Sequence, residues 1–153
     1  MTVIVDTREQ TPFLFRGYEC RIELGTLHTG DYSLAGLTDK IVLERKAVGD
    51  LASCMTVGRE RFERELERMR SFEAAAVIVE EPIGVIRGGL YRSRLNPDSF
   101  EQSILSFMVR YRVPFLFGRN RRHAEYLAFN CLRHYWNRKV ESKRRIGFTP
   151  YRD

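Results

Sequence analysis

Three residues in the stretch from Gly30 to Asp50 could do chemistry together: Asp31, Glu44 and Lys46, in the pattern D-x12-E-x-K. Ile41, Val42 and Leu43 form an aliphatic run that reads as a buried strand and passes without a break into Glu44, Arg45 and Lys46. Alternation puts Val42, Glu44 and Lys46 on one face and Leu43 and Arg45 on the other, so a carboxylate and an ammonium project side by side. If 32–35 and 41–46 are neighbouring strands joined by a turn at Gly36 to Lys40, Asp31 folds back toward Glu44. Asp6, at another strand end, and Asp50, in a short helix, would join them as a crowd of four carboxylates. Like charges held close and partly desolvated repel, and a divalent cation offsets that repulsion.

Hard oxygen ligands without nearby thiols or paired histidines point to magnesium or manganese and away from zinc. Asp31 and Glu44 are the expected ligands. Lys46 is expected to orient the attacking water or to stabilise charge on a phosphate, and Asp6 to bind a second ion or to hold the first ion's water. The reaction class is hydrolysis of a phosphodiester by in-line displacement. His28, a single histidine near a turn, reads as a surface or packing residue.

The elements that must position these groups follow from patterning. Strands are expected at Thr2 to Asp6, Arg21 to Leu24, Tyr32 to Leu34 and Lys40 to Lys46, with Phe13, Leu14 and Phe15 tucked onto the core between the first two. A short helix starts near Ala47. A second, Arg59 to Arg70, carries Phe62, Leu66 and Met69 at helical spacing; its five arginines and four glutamates nearly cancel, so its charged face reads as solvated surface and not as a nucleic-acid tract. Ala74 to Val79 is a buried strand, and Ile83 to Leu95 reads as a basic loop in which Arg87, Arg92 and Arg94 are candidate phosphate contacts. Asn96 caps a helix with Pro97 at its first position; a strand at Val113 to Phe117 and a helix from about Asn120 to Asn137 follow. This order predicts an α/β fold, a central mixed β-sheet flanked by helices on both faces.

At 153 residues the chain is sized for one domain, here 1–137 followed by a basic, loosely ordered tail at 138–153. That tail holds six basic and two acidic residues, +4 of the formal +6, and suits a polyanionic partner. No apolar run approaches the roughly 20 residues a bilayer requires and the N-terminus lacks a signal-peptide layout, so an intracellular, cytoplasmic protein without membrane contact is expected. Cys20, Cys54 and Cys131 are widely spaced and read as reduced structural thiols.

VDTRE at 5–9, GDY at 30–32, ERKAVGD at 44–50 and GRERFERELERM at 58–69 together resemble the nuclease domain of the XPF (xeroderma pigmentosum group F) and Hef family, over roughly residues 3–135. Its signature, GD followed at a distance by ERK-x3-D, is present as Gly30, Asp31, Glu44, Arg45, Lys46 and Asp50. The resemblance implies a restriction-endonuclease-like fold, magnesium- or manganese-dependent cleavage of DNA, and a preference for branched substrates such as flaps and forks, intermediates of DNA repair and recombination. It also implies that Asp6, Arg8, Arg45 and Asp50 belong to the functional cluster, Arg45 as a brace acting through a salt bridge. Members usually carry tandem helix-hairpin-helix modules, and some a helicase; neither lies within these 153 residues. The expectation is that Lys143, Arg144 and Arg145 of the tail take over part of the grip on DNA, and that a second copy of the chain pairs through the nuclease domain. Two other readings stand beside the endonuclease: a noncatalytic DNA-binding pseudonuclease, against which the full set of acidic and ERK residues counts, and a nuclease of the same fold acting on unbranched DNA or RNA.

Overall fold

The computed structural model describes the backbone of residues 1–147 and the side chains of residues 1–142. Its six strands are β1 (Thr2–Asp6), β2 (Arg21–Gly25), β3 (Tyr32–Leu34), β4 (Ile41–Lys46), β5 (Ala74–Val79) and β6 (Phe115–Phe117), in the order β2-β1-β3-β4-β5-β6. β3 runs antiparallel to both of its neighbours, with Val5 opposite Tyr32 and Tyr32 opposite Leu43, while β1–β2, β4–β5 and β5–β6 are parallel. The sheet is therefore mixed.

Among the described residues five helices cover it: α1 (Val48–Met55), α2 (Arg59–Arg70), α3 (Ile83–Arg87), α4 (Pro97–Tyr111) and α5 (Arg121–Gly147). The alternation of β4 and β5 sorts their apolar side chains into two cores. Val42, Val77 and Val79 face one side, where they meet Leu51 of α1, Phe62, Leu66 and Met69 of α2, and Phe100, Ile104 and Phe107 of α4. Ile41, Leu43, Ala76 and Ile78 face the other, against Ala124, Ala128, Leu132 and Tyr135 of α5 and the aromatic cluster of Phe13, Phe15 and Tyr32. Helices thus lie on both faces, as the order of elements predicts.

Three details differ from the sequence expectations. Leu14 is exposed while its neighbours Phe13 and Phe15 are buried, the connection alternating sides before Phe15 turns it with φ +49°. Ile83–Arg87 folds as a short helix inside the expected loop, with Ile86 buried under α4. The last helix does not stop at Asn137 but runs on to Gly147, since the residues beyond 137 contain no helix breaker before that glycine and Lys139 still pairs with Glu73. The expected start of α4 is met: Asn96 Oδ1 accepts from the Asp98 and Ser99 N–H groups at 2.9 and 3.2 Å.

A single tight turn decides where Asp31 sits. Gly30 has φ +78°, and a Cβ there would lie 2.1 Å from Val42 Cγ2 and 3.0 Å from the Leu43 carbonyl oxygen. Only glycine lets the chain pass this close to β4 in a left-handed conformation. The next residue is then pinned on both sides: the Asp31 N–H donates to Leu43 O at 2.8 Å, and Asp31 O accepts from the Asp6 N–H at 2.8 Å. Gly30→Ala combines a left-handed penalty with overpacking and is expected to cost about 2–5 kcal/mol of stability. Urea denaturation of the variant beside the wild type checks this; an unchanged midpoint would show that the turn relaxes freely.

Candidate active site

β4 emerges from the sheet with its last three side chains divided as alternation requires. Glu44 and Lys46 lie on the α1/α2 side, with Lys46 Nζ 3.0 Å from Glu44 Oε1. Asp31 reaches β4 from the Gly30 turn, where its Oδ2 accepts the Arg45 N–H at 2.8 Å. Asp31, Glu44 and Lys46 open into a cleft of about 270 Å³ whose wall also includes Asp6, Arg8, His28, Phe62 and Glu65. Lys46 sits over the Phe62 ring, 5.6 Å from its centroid, which ties α2 to the end of β4.

Arg45 points to the other face and is held there by two carboxylates. Its Nη2 and Nε reach Glu9 Oε1 and Oε2 at 2.9 and 3.0 Å, and its Nη1 reaches Glu80 Oε1 at 2.8 Å. Arg121, the first residue of α5, pairs with the same Glu80 and donates to the carbonyls of Thr11 and Pro12. The network clamps the chain after β1, the end of β5 and the start of α5 around the residue between Glu44 and Lys46. Arg45 thus forms its ion pairs on the face opposite Glu44 and Lys46.

Asp6 lines the cleft, but both of its oxygens are engaged. Oδ1 accepts from the Arg8 backbone N–H and Nε at 2.9 and 2.8 Å, and Oδ2 from Arg8 Nη2 and the Leu27 N–H at 3.1 and 2.7 Å. Burial pushes its carboxyl up, yet the Arg8 guanidinium and the two backbone donors outweigh burial and hold it below the usual range. In this arrangement Asp6 and Arg8 fasten the loop carrying Leu27 to the end of β1, and each Asp6 oxygen accepts two hydrogen bonds.

Two further groups of residues named from the sequence lie outside the cleft. Asp50 sits exposed in the first turn of α1, outside the cleft, because Val48, Leu51 and Ala52 take the inward positions of that helix. Arg87 pairs with Glu101 at 3.6 Å, and Arg92 and Arg94 are exposed on the following connection; none of the three lines the cleft. Lys143, Arg144 and Arg145 lie outside the residues whose side chains are described.

In place of Asp50, α2 contributes Glu65, a group whose helical position marks it only as surface. Its side chain lies within hydrogen-bond reach of Glu44. Nothing in the helical spacing distinguishes the two flanks of the Phe62, Leu66 and Met69 stripe; only the seat of α2 across β4 decides that the Glu65 flank meets the cleft.

Packing three carboxylates around one lysine has clear electrostatic results. Burial first, then the Asp31 and Glu65 charges, push Glu44 well above the usual carboxylate range. Burial also pushes Asp31 up to about 6, even though the Arg45 N–H bond opposes the shift. For Lys46, burial acts to lower the pKa, but Glu44 outweighs it and the ammonium is stabilised. Among the described residues, no three His, Cys, Asp or Glu side chains close around one point. The donor set that does converge, Asp31 with Glu44, fits a hard dication of the kind that takes one or two carboxylates and completes its shell with water and phosphate oxygens.

These groups set a pH dependence. Between its ordinary 3.8 and about 6, folded Asp31 keeps a proton that the unfolded chain releases, so folding stability falls as pH rises through that window and the deficit is complete above it. Asp31→Asn keeps an acceptor for the Arg45 N–H and removes the charge. In chelator at pH 8 it is expected to be more stable than the wild type by roughly 1–3 kcal/mol, with the difference shrinking toward pH 4. Paired denaturation curves at the two pH values decide the matter, and a less stable variant at pH 8 would refute the repulsion.

Comparison with known proteins gives three findings. Residues 5–130 match the ERCC4 domain family model. A Methanocaldococcus jannaschii protein named as a putative ATP-dependent RNA helicase is 30% identical over 118 residues, which make up 77% of this chain and 14% of the helicase. Two solved structures of XPF from Aeropyrum pernix, one of them in complex with DNA, superpose with TM-scores of 0.70 and 0.69 at 22% and 23% identity. They cover 88% and 89% of this chain, which spans 61% and 65% of theirs.

Proposed function

The chain belongs to the ERCC4 domain family, the XPF/Hef type of DNA nuclease domain, and on that footing we propose that it is a magnesium- or manganese-dependent endonuclease acting on branched DNA such as flaps and forks. The observation that carries the reading is the convergence of Asp31, Glu44 and Lys46 at the end of β4 in one cleft, each held by a contact that fixes its direction. A helicase name on one relative and bound DNA in another are further support for a nucleic-acid substrate.

A divalent ion held by Asp31 and Glu44 would supply charge neutralisation and Lewis-acid polarisation at the scissile phosphate. The chain's own residues do the rest. Lys46, whose ammonium lies 3.0 Å from Glu44 and is stabilised by it, is placed to donate to a phosphate oxygen as charge grows there. The Arg45 backbone N–H fixes Oδ2 of Asp31, a residue that lines the cleft. Glu65, which lines the cleft beside Glu44, can accept a hydrogen bond from an incoming water. Water adds at phosphorus, a phosphorus–oxygen ester bond breaks, and the departing oxygen leaves with a proton drawn from the water.

Cleavage of end-labelled flap, fork, duplex and single-stranded DNA, with magnesium, manganese or chelator, tests this reading. Wild type is expected to cut the branched substrates faster than duplex, and only with a divalent ion. Asp31→Ala and Lys46→Ala are each expected to lower the rate by about 10²–10³-fold. Cleavage that survives both substitutions and chelation would sink the mechanism. Tight DNA binding without any cleavage would favour a noncatalytic module.

A further inference from the structure

The five arginines of α2 do not behave alike. Arg59, Arg64 and Arg70 each pair with a glutamate of the same helix: Glu63 at 3.7 Å, Glu60 at 2.8 Å and Glu67 at 4.0 Å. Arg61 and Arg68 stand within salt-bridge distance of no carboxylate among the described residues. Both are exposed, and both line the cleft of Asp31, Glu44 and Lys46. Three of the five cations of the helix are thus paired within it, and the two that line the cleft are not.

We propose that Arg61 and Arg68 form a phosphate clamp that grips the DNA strand on either side of the scissile bond. The proposal rests on the nuclease reading and extends it to how the strand is held. Spacing supports it: the two residues sit seven apart on one face, roughly 10 Å along the axis at about 1.5 Å per residue. That length covers about three nucleotide steps at an axial rise of about 3.4 Å per strand. Glu65 lies between them, four residues after Arg61 and three before Arg68, and meets Glu44, so a strand bridging the two guanidinium groups passes over the carboxylates. Arg68 is also aimed. Its Nε donates to Thr29 Oγ1 at 3.0 Å, and Thr29 is buried next to Gly30 and Asp31. One guanidinium edge is thereby fastened to the turn that carries the catalytic aspartate, and its Nη groups remain for a phosphate. Holding Arg68 to this turn also fixes the distance between the clamp and Asp31.

The test separates position from charge. Binding of a fluorescent duplex to the full chain is measured in chelator over a series of salt concentrations, for Arg61→Gln/Arg68→Gln and for Arg64→Gln/Arg70→Gln, which removes the same charge from the outward side of the same helix. Each phosphate contact contributes about 0.9 to the slope of log affinity against log salt. The cleft pair is expected to lose about 1.8 of slope and the outward pair close to none. Arg61→Lys/Arg68→Lys, which keeps both charges, is expected to retain most of the slope. Equal slopes for the two glutamine pairs, or a lysine pair as weak as the cleft glutamine pair, would overturn the clamp. A wild type that binds no DNA at all would instead bring down the nuclease reading on which the clamp rests.

Discussion

Asp31 and Glu44 repel each other inside a largely buried cleft, and much of the local structure serves to hold them together anyway. The glycine turn presses the Asp31 backbone against β4, and the Arg45 N–H takes one of its oxygens. Lys46 supplies the cation beside Glu44, seated on the Phe62 ring of α2. Each device also serves position, because a carboxylate restrained by backbone contacts has few rotamers left. A site assembled against its own repulsion is what preorganised chemistry requires, and here the destabilisation falls on residues whose neighbours are otherwise fully packed.

The sheet tolerates this by keeping its two cores separate. On the α5 side the Glu9, Arg45, Glu80 and Arg121 network links segments far apart in the chain without entering the cleft. Glu80 lies immediately after β5 and Arg121 opens α5, so the parallel neighbour of β4 and the helix over it are tied to its middle charged residue. The brace is half-buried and shared among several carboxylate oxygens, which makes it stiffer than a single exposed ion pair.

Much of this was legible in the sequence because it is local. The run from Ile41 to Lys46 needs only the two-residue period of a strand to place Glu44 beside Lys46 and Arg45 opposite, and Gly30 followed by Asp31 needs only a hairpin to reach them. What could not be read is set by how helices sit on the sheet. Asp50 lies six residues beyond Glu44, yet α1 turns it outward to bury Val48, Leu51 and Ala52. Glu65 lies twenty-one residues beyond Glu44, yet α2 brings it into contact. The near-cancelling charges of α2 also concealed that its arginines fall into two classes, since which of them find a glutamate depends on rotamers and on the facing wall. The Asp6 carboxylate illustrates the same limit: its strand-end position was evident, but its capture by Arg8 and the Leu27 N–H depends on the path of a distant loop.

The division of β4 into a chemical face and a bracing face has a consequence for how this strand can vary. Side-chain substitution at one face leaves the ion pairs of the other in place, because among the described residues Glu44 and Lys46 share no ion-pair partner with the Arg45 guanidinium. Insertion or deletion of one residue before Glu44 would exchange the faces, turning the guanidinium into the cleft and both partner groups onto the α5 core. The length of the segment from the glycine turn to the triplet is therefore constrained more tightly in its parity than in its composition. An even-numbered change could be absorbed in the exposed turn between β3 and β4, whereas an odd-numbered one within the strand would invert the site.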